Sequence, residues 1–210
     1  MPLPIVYRTG GDVQVNYDFA DVVSGTGFLT LYPHGASEGA TPTDTFQLVR
    51  HTMAANPSQQ SANTNSSSYT KLVDIDFDYI LDHPITLSGK CLAYLPHAGN
   101  SDGQCDRYIL ARIRKWDGTT ETEIAHSRGP EMSTGSGWSY SSSQVVIEIP
   151  ETHFKKGESI RVTLEGWAKK FASATFASVD VSFNPAGSDY GGSGGPSSAA
   201  IFQIPLRLDI

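Results

Sequence analysis

The segment Lys71 to Ile80 (KLVDIDFDYI) alternates strictly, with Val73, Ile75, Phe77 and Tyr79 apolar or aromatic and Asp74, Asp76 and Asp78 acidic. A period of two puts the first set on one face of an extended strand and the second on the other. A strand with one apolar and one charged face needs a second layer over its apolar side. Stacked or closed sheets follow from this run alone.

The rest of the chain repeats the theme in short pieces. Val13 to Phe19, Phe28 to Tyr32, Thr45 to His51, Ile85 to Leu95, Tyr108 to Trp116, Thr119 to Ala125, Val145 to Ile149, Ser159 to Gly166, Phe176 to Phe183 and Phe202 to Ile210 all read as strands. Asp117-Gly118 is a tight-turn signal that joins two of them as a hairpin. Pro205 lacks a ladder donor, so its position belongs at an edge or a bulge. Glu165 to Ala177 could supply one marginal helical turn, against its Ser, Thr and Gly content. The expected fold is all-β, an antiparallel, jelly-roll-like β-sandwich with long Gly/Ser-rich loops. At 210 residues the chain is long enough for one sizeable core. Residues 1–21 are read as an N-terminal arm or first strand and residues 22–210 as one sandwich domain.

Three stretches read as loops: Met53 to Ser68, Ser127 to Ser143 and Asn184 to Ser198, all small, polar or glycine-rich. Loops this long in a compact domain suggest binding or assembly roles. Trp138, Tyr140 and Tyr190 lie in them, and an aromatic ring in a polar loop wants a partner surface, either a protein interface or a sugar, unless it folds back on its own domain.

Fifteen basic against twenty-two acidic residues give a net charge of -7, which disfavours nucleic acid. The aspartates of the central run read as a solvated face, because a line of carboxylates along a strand cannot surround a cation. A salt-bridged contact with a neighbouring subunit is the second reading and a metal or glycosidase pair the last. Asn100 to Gly103 with Asp106 reads as a turn, lacking the bidentate glutamate of a calcium loop. Six scattered histidines form no HxH or HExxH pair. Gly135-Ser136-Gly137 is not a nucleophile elbow, and Gly187 to Gly195 lacks the lysine of a phosphate loop. No catalytic residue, cofactor or metal is therefore expected. Cys91 and Cys105 leave two states open, a disulfide across a turn at Pro96 to Gly103 or two reduced thiols; a chain of this size does not need the staple. The start, Met1 to Ile5, does not read as a secretory leader, and no apolar run reaches the roughly 18 residues of a membrane span.

With its alternating strands, long Gly/Ser loops and IPLRLDI finish, the chain resembles jelly-roll capsid decoration or cement proteins of tailed bacteriophages. That resemblance implies a non-catalytic virion structural protein, assembling as a homo-oligomer such as a trimer on the major capsid protein, with the virion as its location. The competing expectation is a carbohydrate-binding or lectin-like module, in which Trp138 or Tyr190 would line a groove.

Overall fold

A computed structural model describes residues 26–35, 46–50, 58–183 and 200–208. The expected strand Val13 to Phe19, the glycine run Gly187 to Gly195 and Tyr190 lie outside the described residues. Twelve strands are described: β1 (Thr26–Gly35), β2 (Phe46–Val49), β3 (Ser58–Thr64), β4 (Thr70–Ile80), β5 (Ile85–Ser101), β6 (Cys105–Trp116), β7 (Glu121–Arg128), β8 (Met132–Thr134), β9 (Gly137–Phe154), β10 (Ser159–Lys170), β11 (Ala177–Phe183) and β12 (Ile201–Leu208). The chain is all-β, as expected, and its strands form two layers in the manner of a β-sandwich.

Sheet A is organised around the long strand β5. One edge of β5 pairs with β9 from Ile85↔Phe154 to Ser101↔Gly137. Its other edge is shared by β12 along its first half and β11 along its second. Sheet B runs β2, β4, β10, β6 and β7, with β8 also on β6. Strand β1 belongs to both: Thr26 to Leu31 pair with β12, and Tyr32 to Gly35 pair with β2. The pairing is antiparallel except for β2 with β4, which meet in parallel at Gln47↔Asp78.

The core lies between the layers, and the two-residue period selects it. Cys91, Ala93 and Leu95 of β5, with Val145, Ile147 and Ile149 of β9, face Val73, Ile75 and Phe77 of β4, Ile160, Val162 and Leu164 of β10, and Ile109 and Ile113 of β6; all are buried. Phe77 meets Phe46 and Phe183 edge to face, at centroid separations of 5.5 and 5.3 Å. Gly35 sits against this cluster, where a Cβ would lie 2.3 Å from the Phe46 ring.

Several local expectations change. Ser58 to Thr64, inside the stretch read as a loop, is strand β3, paired with β11 through seven registered positions. It needs little apolar area because an edge strand is held by its backbone ladder. The stretch Ser127 to Ser143 holds β8 and the start of β9, and Glu165 to Lys170 continues β10 with no helical turn. Pro96 is no turn: β5 runs through it to Ser101. Pro205 sits where the β12–β5 register shifts between Gln203 and Leu206, a bulge as expected. The Asp117-Gly118 hairpin is also present, with Gly118 at φ +97° and the Asp117 carboxylate accepting from the Thr119 and Thr120 amides at 2.9 and 2.7 Å.

Candidate functional site

Three polar or exposed regions could do chemistry or bind, and they differ in what is left for a ligand. The outer face of sheet B carries the alternating aspartates. Registers Asp78↔Arg161↔Arg114 and Asp76↔Thr163↔Arg112 bring cations from β10 and β6 beside them. Arg161 grips Asp78 with two hydrogen bonds of 2.7 Å, reaches Glu121 at 2.7 Å, and lies 4.7 Å over the Trp116 ring. Arg114 pairs with Glu121 at 2.7 Å, and Arg112 bridges Glu165 and Glu123 at 2.7 and 2.8 Å. Lys71 pairs with Asp74. The face is therefore not a bare solvated acid row, and the cations that meet it come from the same chain. Among the described residues no group of three or more His, Cys, Asp or Glu could hold a metal.

This lattice is structural. Arg161→Ala is expected to cost about 1 kcal/mol at low salt and less at high salt, because the pairs are partly exposed and screened. Urea titrations at two ionic strengths would show it; a cost unchanged by salt would mean that packing on Trp116 dominates.

The second region is buried between the layers at the far end of β5. Arg107, wholly buried on β6, donates from Nε to His97 Nδ1 at 3.4 Å and from Nη2 to the Ser139 carbonyl at 3.0 Å. Gly99 makes room for it: a Cβ there would lie 2.8 Å from the Arg107 Cδ and 2.7 Å from the Ser178 carbonyl oxygen. His97 Nε2 lies 3.0 Å from Ser143 Oγ, and both residues are buried.

A serine and a histidine at 3.0 Å suggest an acyl-transfer pair, but the proton is on the wrong nitrogen. A guanidinium can only donate, so Nδ1 accepts and Nε2 carries the hydrogen that Ser143 receives. A general base needs the reverse. Burial first, and then the Arg107 charge, lower the His97 pKa to about 4. This cluster is a buried polar plug, a neutral imidazole held against the Arg107 cation, not a nucleophile.

The cysteines are both free and buried. Cys91 lies ten residues before the end of β5 and Cys105 opens β6, so about 30 Å of strand separates Cys91 from the turn. That is far beyond the reach of a disulfide, and the bridge is ruled out on geometry. Burial pushes the Cys91 thiol up to about 12, while Cys105 Sγ lies 3.0 Å from Thr134 Oγ1.

The third region is the outer face of sheet A. Trp138 and Tyr140 are not loop residues: they stand two apart on β9, on one face, with ring centroids 6.2 Å apart and planes 12° from parallel. Trp138 is 52% exposed. Along the same face, β9 presents Ser142, Gln144 and Val146, and β5 presents Leu92, Tyr94 and Asn100 in register with Val146, Gln144 and Trp138, while Pro96 and Ala98 between them are buried. Val146 and Leu92 are 50% and 47% exposed. Ile201 and Gln203 of β12 close a hollow of about 250 Å³ with Leu92, Tyr94, Gln144 and Val146. The strip ends at Lys90 and Glu148, the next registered pair. From Trp138 to Val146 it extends eight residues along β9, about 26 Å, and among the described residues no charged side chain is exposed within it. Asp180, in register with Ala98, adjoins the strip but is wholly buried, with one oxygen taken by Ser61.

No protein-family model matches this chain, and no curated protein does. Solved structures do. A CocE/NonD family hydrolase from Staphylococcus aureus superposes with a TM-score of 0.53 at 14% identity, over 88% of this chain and 37% of its own. An aminopeptidase from the marine sediment archaeon Thaumarchaeota archaeon gives 0.56 at 9% identity, over 87% and 37%. An α-amino acid ester hydrolase gives 0.56 at 10% identity, over 86% and 36%. At these identities the likeness is one of fold, and the chain spans little more than a third of each of those proteins. A loose likeness to viral capsid structures also exists: infectious bursal disease virus gives a TM-score of 0.30 at 12% identity, too slight to carry an argument.

These comparisons correct the expectation drawn from phage decoration proteins. The fold is shared with parts of hydrolases, so the non-catalytic capsid-cementing role, the exclusion of enzyme function and the capsid and phage descriptors are withdrawn.

Proposed function

We propose that this chain serves hydrolysis as the β-sandwich unit of a hydrolase, and that the uncharged strip on sheet A is the surface with which it holds substrate. The observation that carries the reading is the strip itself: an exposed Trp138 ring stacked on a half-buried Tyr140, and exposed aliphatic side chains beside a hollow, on a protein of net charge -7. Exposed apolar surface of this extent, rimmed by amides and hydroxyls, marks a binding site. The similarity of fold to part of three hydrolases supplies the class of reaction. The reading gives this chain the holding of substrate and not the bond-breaking step, since the Ser143–His97 pair is buried and its proton is misplaced for a general base.

The test uses the full chain with three probes: p-nitrophenyl acetate, an α-amino acid methyl ester and an aminoacyl p-nitroanilide. Binding weakened by Trp138→Ala in a variant that keeps its circular dichroism supports the reading. Turnover by the chain alone that vanishes in a folded Ser143→Ala variant and survives Trp138→Ala would overturn it and place the chemistry in the inner cluster.

A further inference from the structure

We propose that the strip binds an uncharged polysaccharide, lying along β9 from Trp138 to Val146; this inference rests on the substrate-holding role given to the same face.

Four properties of the face select that ligand. First, the two near-parallel rings at one end offer apolar faces on which the C–H side of a pyranose can lie, and the exposed Trp138 ring is the larger platform. Second, the polar side chains along the strip, Asn100, Ser142, Gln144 and Gln203, are neutral groups that both donate and accept, which is what vicinal hydroxyls require. Third, among the described residues the strip carries no exposed charge, in a chain with an excess of seven acids, so its own side chains neither attract a polyanion nor pair a polycation. Fourth, its length of about 26 Å suits an extended polymer better than a compact metabolite.

A peptide fits the same surface less well. The ladder hydrogen bonds of β5 lie in the plane of the sheet, with β9 on one side and β11 and β12 on the other, so a peptide lying flat on the face would find side chains only and would leave most of its own amides unmatched. A lipid tail would meet Ser142, Gln144 and Asn100 between the apolar residues.

The experiment is affinity gel electrophoresis of the full chain in gels containing xyloglucan, glucomannan, mixed-linkage β-glucan or the polyanion polygalacturonate, with an uncharged Ala/Ser/Gln peptide titrated separately by calorimetry. The expected result is retardation by at least one neutral polysaccharide and none by polygalacturonate. Trp138→Ala should weaken it about tenfold or more, and Tyr140→Phe by less than Tyr140→Ala. All three variants should keep the wild-type circular dichroism, because the rings lie on an outer face. No retardation in any neutral gel, or retardation equal in wild type and Trp138→Ala, overturns the inference. If the peptide binds and Trp138→Ala abolishes that binding while the gels show nothing, the glycan inference falls and the substrate-holding strip stands. If Trp138→Ala changes no binding of any probe, both fall.

Discussion

Phe77→Ala should lower stability by about 3–5 kcal/mol, among the largest losses expected from a single truncation in this chain. Phe77 is wholly buried on β4, on the apolar side of the alternating run, and it touches two other rings edge to face, Phe46 from β2 and Phe183 from β11. Those strands come from both sheets, so the ring fixes the spacing of the layers where β1 crosses between them. Truncation removes the transfer energy of the ring and also leaves a cavity, because Phe46 and Phe183 are held by their own strands and cannot close over it. For a chain of this size the midpoint should fall by roughly 10 °C. Phe77→Leu keeps most of the volume and should cost less than half as much. A thermal scan of the two variants decides the matter; equal losses would mean that the aromatic contacts matter more than the filled volume.

How far the sequence discloses this molecule can be judged from the same strand. Alternation in Lys71 to Ile80 reveals both faces of β4, because burial acts on every second residue and leaves a linear trace. It does not reveal what covers the acidic face. Arg112 and Arg114 show the same period of two in β6, and Arg161 stands in β10, but only the register sets them beside Asp76 and Asp78. Strand β3 left no trace at all, since SQQSANT is held by backbone bonds to β11 and contributes little apolar burial. The aromatic pair was seen and misplaced: Gly and Ser around Trp138 and Tyr140 suggested a loop, whereas the two-residue spacing was the strand signal that mattered. The buried plug of His97 and Arg107 has no sequence signature, being assembled by strands from opposite layers. The likeness to hydrolases likewise lives in the arrangement of strands and in no linear motif.

Between pH 6.5 and about 4 the wild-type protein should lose about 3 kcal/mol of stability through His97 alone. The sign follows from where the proton binds. In the unfolded chain the imidazole takes up a proton near its ordinary value of 6.5, whereas in the fold burial and the neighbouring Arg107 lower that value to about 4. Within this window the unfolded state binds more protons, so stability is full above pH 6.5 and falls as the pH drops, levelling off below about 4. Protonation inside the fold would place a second cation against Arg107 Nε, with Ser143 as the other neighbour, and neither can receive the new proton on Nδ1 without breaking the existing bond. Glu165 acts lower on the scale. Burial raises the Glu165 pKa, but hydrogen bonds from Arg112 and Trp167 outweigh it and hold the group below its ordinary value, so its contribution disappears only as the pH falls below about 4.5. Asp180 works in the opposite sense: burial raises its pKa, so its ionisation opposes folding increasingly as the pH rises above its ordinary value of 3.8. His97→Gln separates these contributions, because it removes the titrating group and retains a side chain that can meet both Arg107 and Ser143. Urea denaturation at half-unit steps from pH 7 to 4 should give a steep slope for wild type and a nearly flat one for His97→Gln. Parallel slopes would show that His97 does not carry the acid sensitivity and that Arg107 lies too far from it to withhold the proton.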